Sequence, residues 1–396
     1  MTDTMRYPFG ADKLTVDPSY AALREGPPCR VQLPYGEPAW LATRYEDVKM
    51  VLSDPRFSRA AAVGRDEPRT RPHATGPNTI MSYDPPEHSR LRRLVTQAFT
   101  VRRVEALRAR AQQIADDLVD AMLAKGPPAD LFADFGLPLP TMVICELLGV
   151  PVQDRANFRT WADAFLATTK YTPEQVRTYV GQLSGYMASL IAQRRTTPRN
   201  DLLTALVSAR DNDDRLSEEE LLIMAQSLLI AGHETTASQI PNLVYQLLTH
   251  PDQLTTLRAD LDLIPRAVEE LLRFTPLGAG GGQPRYALED IDLGDVTVAA
   301  GEPVIVAVHS ANRDETVFTR PDELDLTRQG ASHVAFGHGA HHCLGAPLAR
   351  MELQVTLHTL LTRLPGLRLT AEDDIVWKTG LSTRGPERMP ITWDQP

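Results

Sequence analysis

From residue 87 to residue 274 the chain repeats its apolar residues at helical spacing almost without pause, and the breaks fall at Gly126-Pro-Pro, Gly149-Val-Pro and Thr172-Pro. A run of that length predicts a mainly α architecture with strands confined to the margins. Val31-Gln-Leu and Ala39-Trp-Leu-Ala flank a turn-rich break at residues 34–38, and residues 45–53 read as a short helix. Residues 286–308 alternate in strand fashion, residues 311–332 are irregular, residues 346–364 are helical, and the tail reads as short strands. Residues 54–86 carry six prolines and no sustained period, unusually long for a connector. The expected fold class is mainly α with smaller β-sheets (α+β). The chain reads as a single domain, residues 1–396, β-rich near 29–60, 283–310 and 366–396 and helical near 87–274 and 346–364.

Composition narrows the function classes. A net charge of −10 makes nucleic acid an unsuitable partner. Cys29, Cys145 and Cys343 form too sparse and odd a set for a disulfide framework. No charged-then-apolar leader opens the sequence and no apolar run reaches the roughly 18 residues of a membrane span, so a cytoplasmic protein without membrane contact is expected. The charge is unevenly spread: between Arg90 and Arg110 lie seven arginines and one acid, Glu105.

Three stretches carry chemistry. Residues 336–345 read Phe-Gly-His-Gly-Ala-His-His-Cys-Leu-Gly, directly ahead of the helical pattern at 346–364. Fixing Phe336, Gly337, Gly339, His341, Cys343 and Gly345 by chance has odds of roughly 10⁻⁸ per starting point. A helix start favours an anion, so a cysteine there tends toward the metal-binding thiolate, and glycines let several amides turn toward the sulfur. Zinc is a poor fit, because His338, His341, His342 and Cys343 crowd six residues without a distant second pair. An inert buried thiol is the commoner fate of an isolated cysteine, and the flanking glycines and histidine weigh against it.

The second stretch lies in a helix expected from about residue 218 to 250, with Ser217 and Glu220 as its capping box. Leu221, Leu222, Ala225, Leu228, Leu229, Gly232, Thr235 and Thr236 recur on one stripe. Ala231 and Thr235 share a face, Thr235 is placed to bond back to the Ala231 carbonyl, and the small Ala231 and Gly232 leave room for a flat macrocycle. Read alone, Gly-His-Glu-Thr-Thr is better explained as an ordinary polar kink, because Ser and Thr often bond back in helices. The third stretch is Glu270-Leu-Leu-Arg273, whose spacing puts both charges on one helical face; by itself such a pair is most often solvated and worth little.

Together these stretches resemble the cytochrome P450 monooxygenases, particularly the actinomycete-type bacterial branch, and the order of helices and strands resembles that family from end to end. The resemblance implies a triangular helical prism with haem b between the central long helix and the cysteine-loop helix. It implies Cys343 as axial ligand of the haem iron, Phe336 packed beside it, and Ala231 against the haem. Glu234 and Thr235 would be the oxygen-activation pair, Thr235 steadying the oxygen and its water and Glu234 relaying protons. Peroxide-dependent relatives typically replace this pair. Glu270 and Arg273 would lock the fold, with Arg328 as a third member. Haem propionates need cationic or donor partners; His88 and Arg92, four apart on a helix, with Arg285 and His341, match them.

Leu277, Gly278, Ala279 and Gly280, within the run 277–282, stand where the family places a pocket-lining segment. Their lack of bulk reads as room for a sizeable guest or as a flexible turn. Residues 54–86 would lid that pocket. Arg90, Arg93, Arg102 and Arg103 lie where the family's electron donor docks, and a solvated helix face explains them almost as well. No flavin or nicotinamide fingerprint occurs, so electrons are expected from NAD(P)H through a separate ferredoxin reductase and ferredoxin, with O2 as co-substrate. The expected enzyme is a monomer that hydroxylates or epoxidises a bulky small molecule, a polyketide, macrolide or peptide-derived secondary metabolite. Oxidative C–C or C–N coupling uses the same machinery and is the runner-up. A non-catalytic haem sensor has no need of Glu234 and Thr235.

Overall fold

The computed structural model describes residues 4–10, 12–211, 216–280 and 282–394. Its helices follow the expected breaks, and the local chemistry explains each one. Helix Val101–Lys125 stops at Gly126, which takes a φ of +78°. Helix Pro138–Leu148 stops at Gly149, left-handed at φ +79°, the conformation glycine adopts without steric cost. Thr172 starts helix Pro173–Thr196 through a capping box with Gln175, and proline fills the first helical position.

At the centre runs helix Glu218–Thr249 of 32 residues. Ser217 and Glu220 exchange the two capping-box hydrogen bonds that the sequence predicted, and Glu218, Glu219 and Glu220 lie at the positive end of the dipole. The cysteine-loop helix Ala346–Arg363 packs against this central helix and against Val101–Lys125. One apolar core joins them through Val104, Ile114, Leu229, Leu243, Leu348 and Leu353.

A six-stranded sheet holds the margins together, in the order Met5–Arg6, Cys29–Gln32, Ala39–Ala42, Pro303–Val306, Arg285–Ala287, Phe57–Ser58. Strands far apart in the sequence meet here, with Trp40, Leu41 and Ala42 parallel to Val304, Ile305 and Val306. Pro303–Val306 is buried throughout because the sheet is covered on both faces: Val304 and Val306 enter a core with Tyr45 and Phe318, whereas Ile305 enters one with Tyr20 and Leu41.

Two departures from the sequence reading have simple causes. Ala129–Asp130, inside the long helical run, is a strand pairing with Pro390–Thr392; two residues are too few to show a period. Val308 begins the short helix Val308–Ala311 rather than ending a strand. Among the described residues, no helix is long and apolar enough to cross a membrane.

Candidate active site

The loop at 336–345 folds back on itself. The Gly337 amide donates to the Val334 carbonyl and the Cys343 amide to the Phe336 carbonyl, both at 2.8 Å. Gly337 and Gly339 take φ of +73° and +71°, and a Cβ on Gly339 would lie 2.4 Å from the Leu52 carbonyl oxygen. The loop is thus pressed onto the end of helix Tyr45–Ser53, a fit only glycine permits. Cys343 is exposed on one side and hemmed in on the others. Burial pushes its thiol up, opposed by the amides of Gly345 and Ala346 and by the charges of Arg92 and Arg350.

Phe336 is clamped from one side by Arg350, whose guanidinium lies 4.6 Å from the ring centroid. Arg350 is held in turn by both oxygens of Glu269, at 2.7 and 2.8 Å, and His333 reaches Glu269 at 3.2 Å. This Glu269–Arg350–His333 cluster behind the cysteine loop was not read from the sequence. Glu269 is adjacent to Glu270, and neighbours on a helix point about 100° apart, so the two acids serve different partners.

His88, Arg92, Arg285 and His341 do converge. The His88 and His341 rings lie 4.1 Å apart, and Arg92 Nη2 donates to the His342 carbonyl at 2.7 Å. Arg59, from the aperiodic 54–86 stretch, joins them. It is buried, donates through Nε to the Met81 carbonyl and through Nη1 to the Pro284 carbonyl, and no sequence period marked it. Burial, then Arg285, His88, Arg59 and Arg92, push His341 down to about 3. Burial and Arg59 lower Arg285 to about 10. Both His341 ring nitrogens are buried without a hydrogen-bond partner among the described residues. Mutually repelling donors with orphaned polar atoms suit a group carrying carboxylates. With a cysteine at the start of the adjoining helix, the donor set fits haem and its two propionates.

On the central helix, Thr235 Oγ1 donates to the Ala231 carbonyl at 2.8 Å, as the spacing predicted. Ala231 is exposed and Thr235 partly so, although Thr236 to Val244 are buried without interruption. Gly232 does not serve this notch. A Cβ there would meet Ile144 at 2.6 Å, so its smallness admits helix Pro138–Leu148 rather than a macrocycle. Glu234 is fully buried and faces elsewhere. Lys378 Nζ donates to its Oε1 at 2.6 Å and to Ser238 Oγ at 2.8 Å. Lys378 lies 144 residues away and carried no sequence signal. A second buried acid, Glu352 on the cysteine-loop helix, is pushed up to about 8 by burial, against a weaker pull from Thr236.

Glu270 and Arg273 form a buried bidentate pair at 2.7 and 2.8 Å, not a solvated one. Arg328 Nε reaches both Glu270 oxygens at 3.0 Å. The two arginines also bond the carbonyls of Asn312, Thr319, Arg320, Pro321 and Glu323, which pins the irregular 312–328 stretch ahead of the cysteine loop.

The glycines after the E-x-x-R helix have unequal roles. A Cβ added at Gly278 would have no neighbour closer than 4.0 Å, but at Gly280, φ +99°, a Cβ would lie 2.5 Å from Pro8. Gly280 is thus required for packing against the N-terminal segment rather than for pocket room. The backbone of Leu277 to Ala279 is bonded to residues 382–384 of the C-terminal hairpin; Gly281 of this run lies outside the described residues. In the basic stretch, Arg90 is engaged by Glu220, Arg108 by Glu105 and Arg110 by Glu146. Arg93, Arg102 and Arg103 are exposed, next to Val101, which is 67% exposed.

Comparison with known proteins agrees with this geometry. A family model described as Cytochrome P450 matches residues 12–375. The chain is 52% identical to mycinamicin IV hydroxylase/epoxidase of Micromonospora griseorubida over 390 residues, 98% of each chain. It is 52% identical to nocardicin C N-oxygenase of Nocardia uniformis subsp. tsuyamanensis over 397 residues, 99% of each. The crystal structure of cytochrome P450mel 107F1 with biaryl coupling reactivity matches with a TM-score of 0.95 and 46% identity, covering 99% of this chain and 100% of that one.

Proposed function

Because the chain belongs to the cytochrome P450 family, we propose that it hydroxylates or epoxidises a bulky secondary metabolite, with Cys343 as the thiolate that would hold the iron of haem b. Bound haem supplies O2 activation, with electrons from NAD(P)H through a ferredoxin reductase and ferredoxin. The observation that carries the residue assignment is the convergence of His88, Arg92, Arg285 and the orphaned His341 beside the Cys343 loop. These four hold the propionates, with Arg59 behind them. The amides of Gly345 and Ala346 hold the sulfur's charge, and Phe336, clamped by Arg350, shields it. Thr235, anchored on Ala231, orders water on the substrate side, and Glu234 supplies protons to it.

The substrate class follows from relatives named for mycinamicin and nocardicin. Leu277, Gly278 and Ala279 line the pocket in this reading, under a lid formed by residues 54–86. Ferredoxin docks on Arg93, Arg102 and Arg103; Arg90, engaged by Glu220, is left out of that face. The enzyme works as a cytoplasmic monomer of one domain. The direct test is the ferrous carbon monoxide spectrum: wild type gives a thiolate-type Soret band, and Cys343→Ala abolishes it. A thiolate-type band surviving that substitution overturns the assignment.

A second reading, oxidative coupling without oxygen insertion, is favoured by the likeness to a structure with biaryl coupling reactivity. Product mass separates the two. A gain of one oxygen supports insertion, and a loss of two hydrogens supports coupling.

A further inference from the structure

Arg59 and Arg71 tie the aperiodic 54–86 stretch to different parts of the chain. Arg59 bonds the Met81 and Pro284 carbonyls beside the propionate donors. Arg71 reaches the end of helix Phe158–Leu166, where its Nη1 donates to the Phe165 carbonyl at 3.3 Å and its guanidinium lies 5.8 Å from the Phe165 ring centroid. The contacts continue from there. The Leu166 carbonyl accepts from the amide and the hydroxyl of Ser382, Ala167 bridges to Leu381, and the Ser382 carbonyl accepts from the Ala279 amide. Ala279 belongs to the run 277–282, and Pro284 follows it shortly in the chain. Hydrogen bonds and chain thus close a ring, from Arg59 through Pro284, Ala279, Ser382 and Phe165 back to Arg71.

Arg71 and Phe165 both keep accessible surface in this ring. Phe165 is 39% exposed, although the four residues before it on the helix are buried. Arg71 is half-buried, yet its surroundings are dense enough that desolvation lowers its pKa below the ordinary arginine value. Accessible surface in dense surroundings marks a concave wall, and Cys343 shows the same combination. The charge of Arg71 is also poorly matched. Its Nε and Nη2 donate to nothing among the described residues, and the acid it feels is Glu67. Glu67 is buried and already engaged, its Oε1 by the Thr75 amide at 2.6 Å and its Oε2 by Arg59 at 3.9 Å. One carboxylate therefore faces two arginines. The cations around them are satisfied otherwise: Arg69, Arg159, Lys170 and Lys378 each pair with another acid, and Arg65 and Arg384 turn to carbonyls.

Resting on the monooxygenase reading above, we propose that Arg71 determines specificity by binding a carboxylate of the substrate, whose apolar part lies against Phe165. The free Nε and Nη2 form a fork that matches both carboxylate oxygens, while Nη1 stays on the Phe165 carbonyl. A bound carboxylate balances the second arginine, which Glu67 alone leaves unmatched in a partly desolvated wall. Among the substrate classes considered above, this selects an acidic, peptide-derived metabolite over a neutral or cationic macrolide.

The test uses the holoenzyme and a series of straight-chain alkanoic acids of graded length, each ending in an imidazole, together with the primary amide of each acid. The imidazole anchors every probe on the haem iron and shifts the Soret band whether or not the far end is recognised, so a Kd is obtained for each. At the length that reaches Arg71, the acid should bind wild type about 10- to 100-fold tighter than its amide, the scale of hydrogen bonds to a charged group. Arg71→Met should abolish that preference and leave the Kd of the amide unchanged, and Arg71→Lys should keep part of the preference. If Arg71→Met does not retain haem, Arg71→Gln replaces it. An Arg71 that only holds Phe165 in place would weaken acid and amide alike when removed, and that result overturns the proposal. Equal Kd values for acid and amide at every length in wild type, or an acid preference that survives Arg71→Met, also overturn it. Failure of the haem-thiolate reading appears instead in the carbon monoxide spectra of wild type and Cys343→Ala, which do not depend on Arg71, so the two failures are separate results.

Discussion

Glu270→Gln is the substitution whose cost the structure defines most closely. The carboxylate accepts from Arg273 Nε and Nη2, from Arg328 Nε on both oxygens, and from the Asp325 amide at 3.0 Å. Glutamine keeps the shape, removes the charge, and turns an NH2 group toward guanidinium donors. Arg273, 2% exposed in its side chain, is left buried with carbonyl partners only, whereas Arg328 at 12% recovers part of its solvation. The loss should match the breaking of one buried pair, about 3–5 kcal/mol, not two. That is a large share of the roughly 5–15 kcal/mol by which folded chains are stable. The released segment is residues 312–328, immediately ahead of the cysteine loop, so haem retention should fall together with stability. Urea unfolding followed by circular dichroism, haem content per chain, and limited proteolysis with mapping of the cut sites read all three effects. A loss under about 1 kcal/mol, the value for a solvated pair, with wild-type haem content and no new cuts in 312–328, would refute the reasoning.

Gly232→Ala should cost about 1–3 kcal/mol by overpacking against Ile144, and Ile144→Ala, which removes both crowded carbons, should leave Gly232→Ala with little further cost when the two are combined, read in urea midpoints. Glu352, held protonated up to about pH 8 in the folded chain, loses its proton near the ordinary 4.5 once unfolded. The native state therefore binds more protons between those values, and stability should fall as pH rises through them, by about 1.4 kcal/mol per unit at the steepest. Glu352→Gln should flatten this slope, and equal slopes in urea titrations at several pH values would count against it. Charge reversal at Arg102 and Arg103 should slow reduction by an acidic ferredoxin and weaken its salt dependence; stopped-flow reduction at two ionic strengths decides, and unchanged rates remove the docking face.

What the sequence made legible was local. The capping box at Ser217 and Glu220, the Thr235 bond to Ala231, the Glu270–Arg273 pair and the His88–Arg92 face all join residues three or four apart, where helical periodicity fixes the geometry. The cysteine loop was legible because six constrained positions fall within ten residues. Strands of two residues, such as Ala129–Asp130, could not show a period. Gly232 was misassigned because smallness in a sequence does not say which neighbour requires it; only the approach of Ile144 does.

The remaining omissions are contacts at long sequence separation, and they set the chemical state of the residues the sequence did identify. Glu234 reads as an acid beside an alcohol, yet the contact that fixes its direction is with Lys378, 144 residues away. Phe336 is expected from the resemblance to pack beside Cys343, yet its position depends on Arg350, which Glu269 holds across 81 residues. Arg59 comes from a stretch without any period and adds to the field that presses on His341. In each case a motif supplies the reactive group and a distant charge, buried where water screens it little, decides how that group behaves.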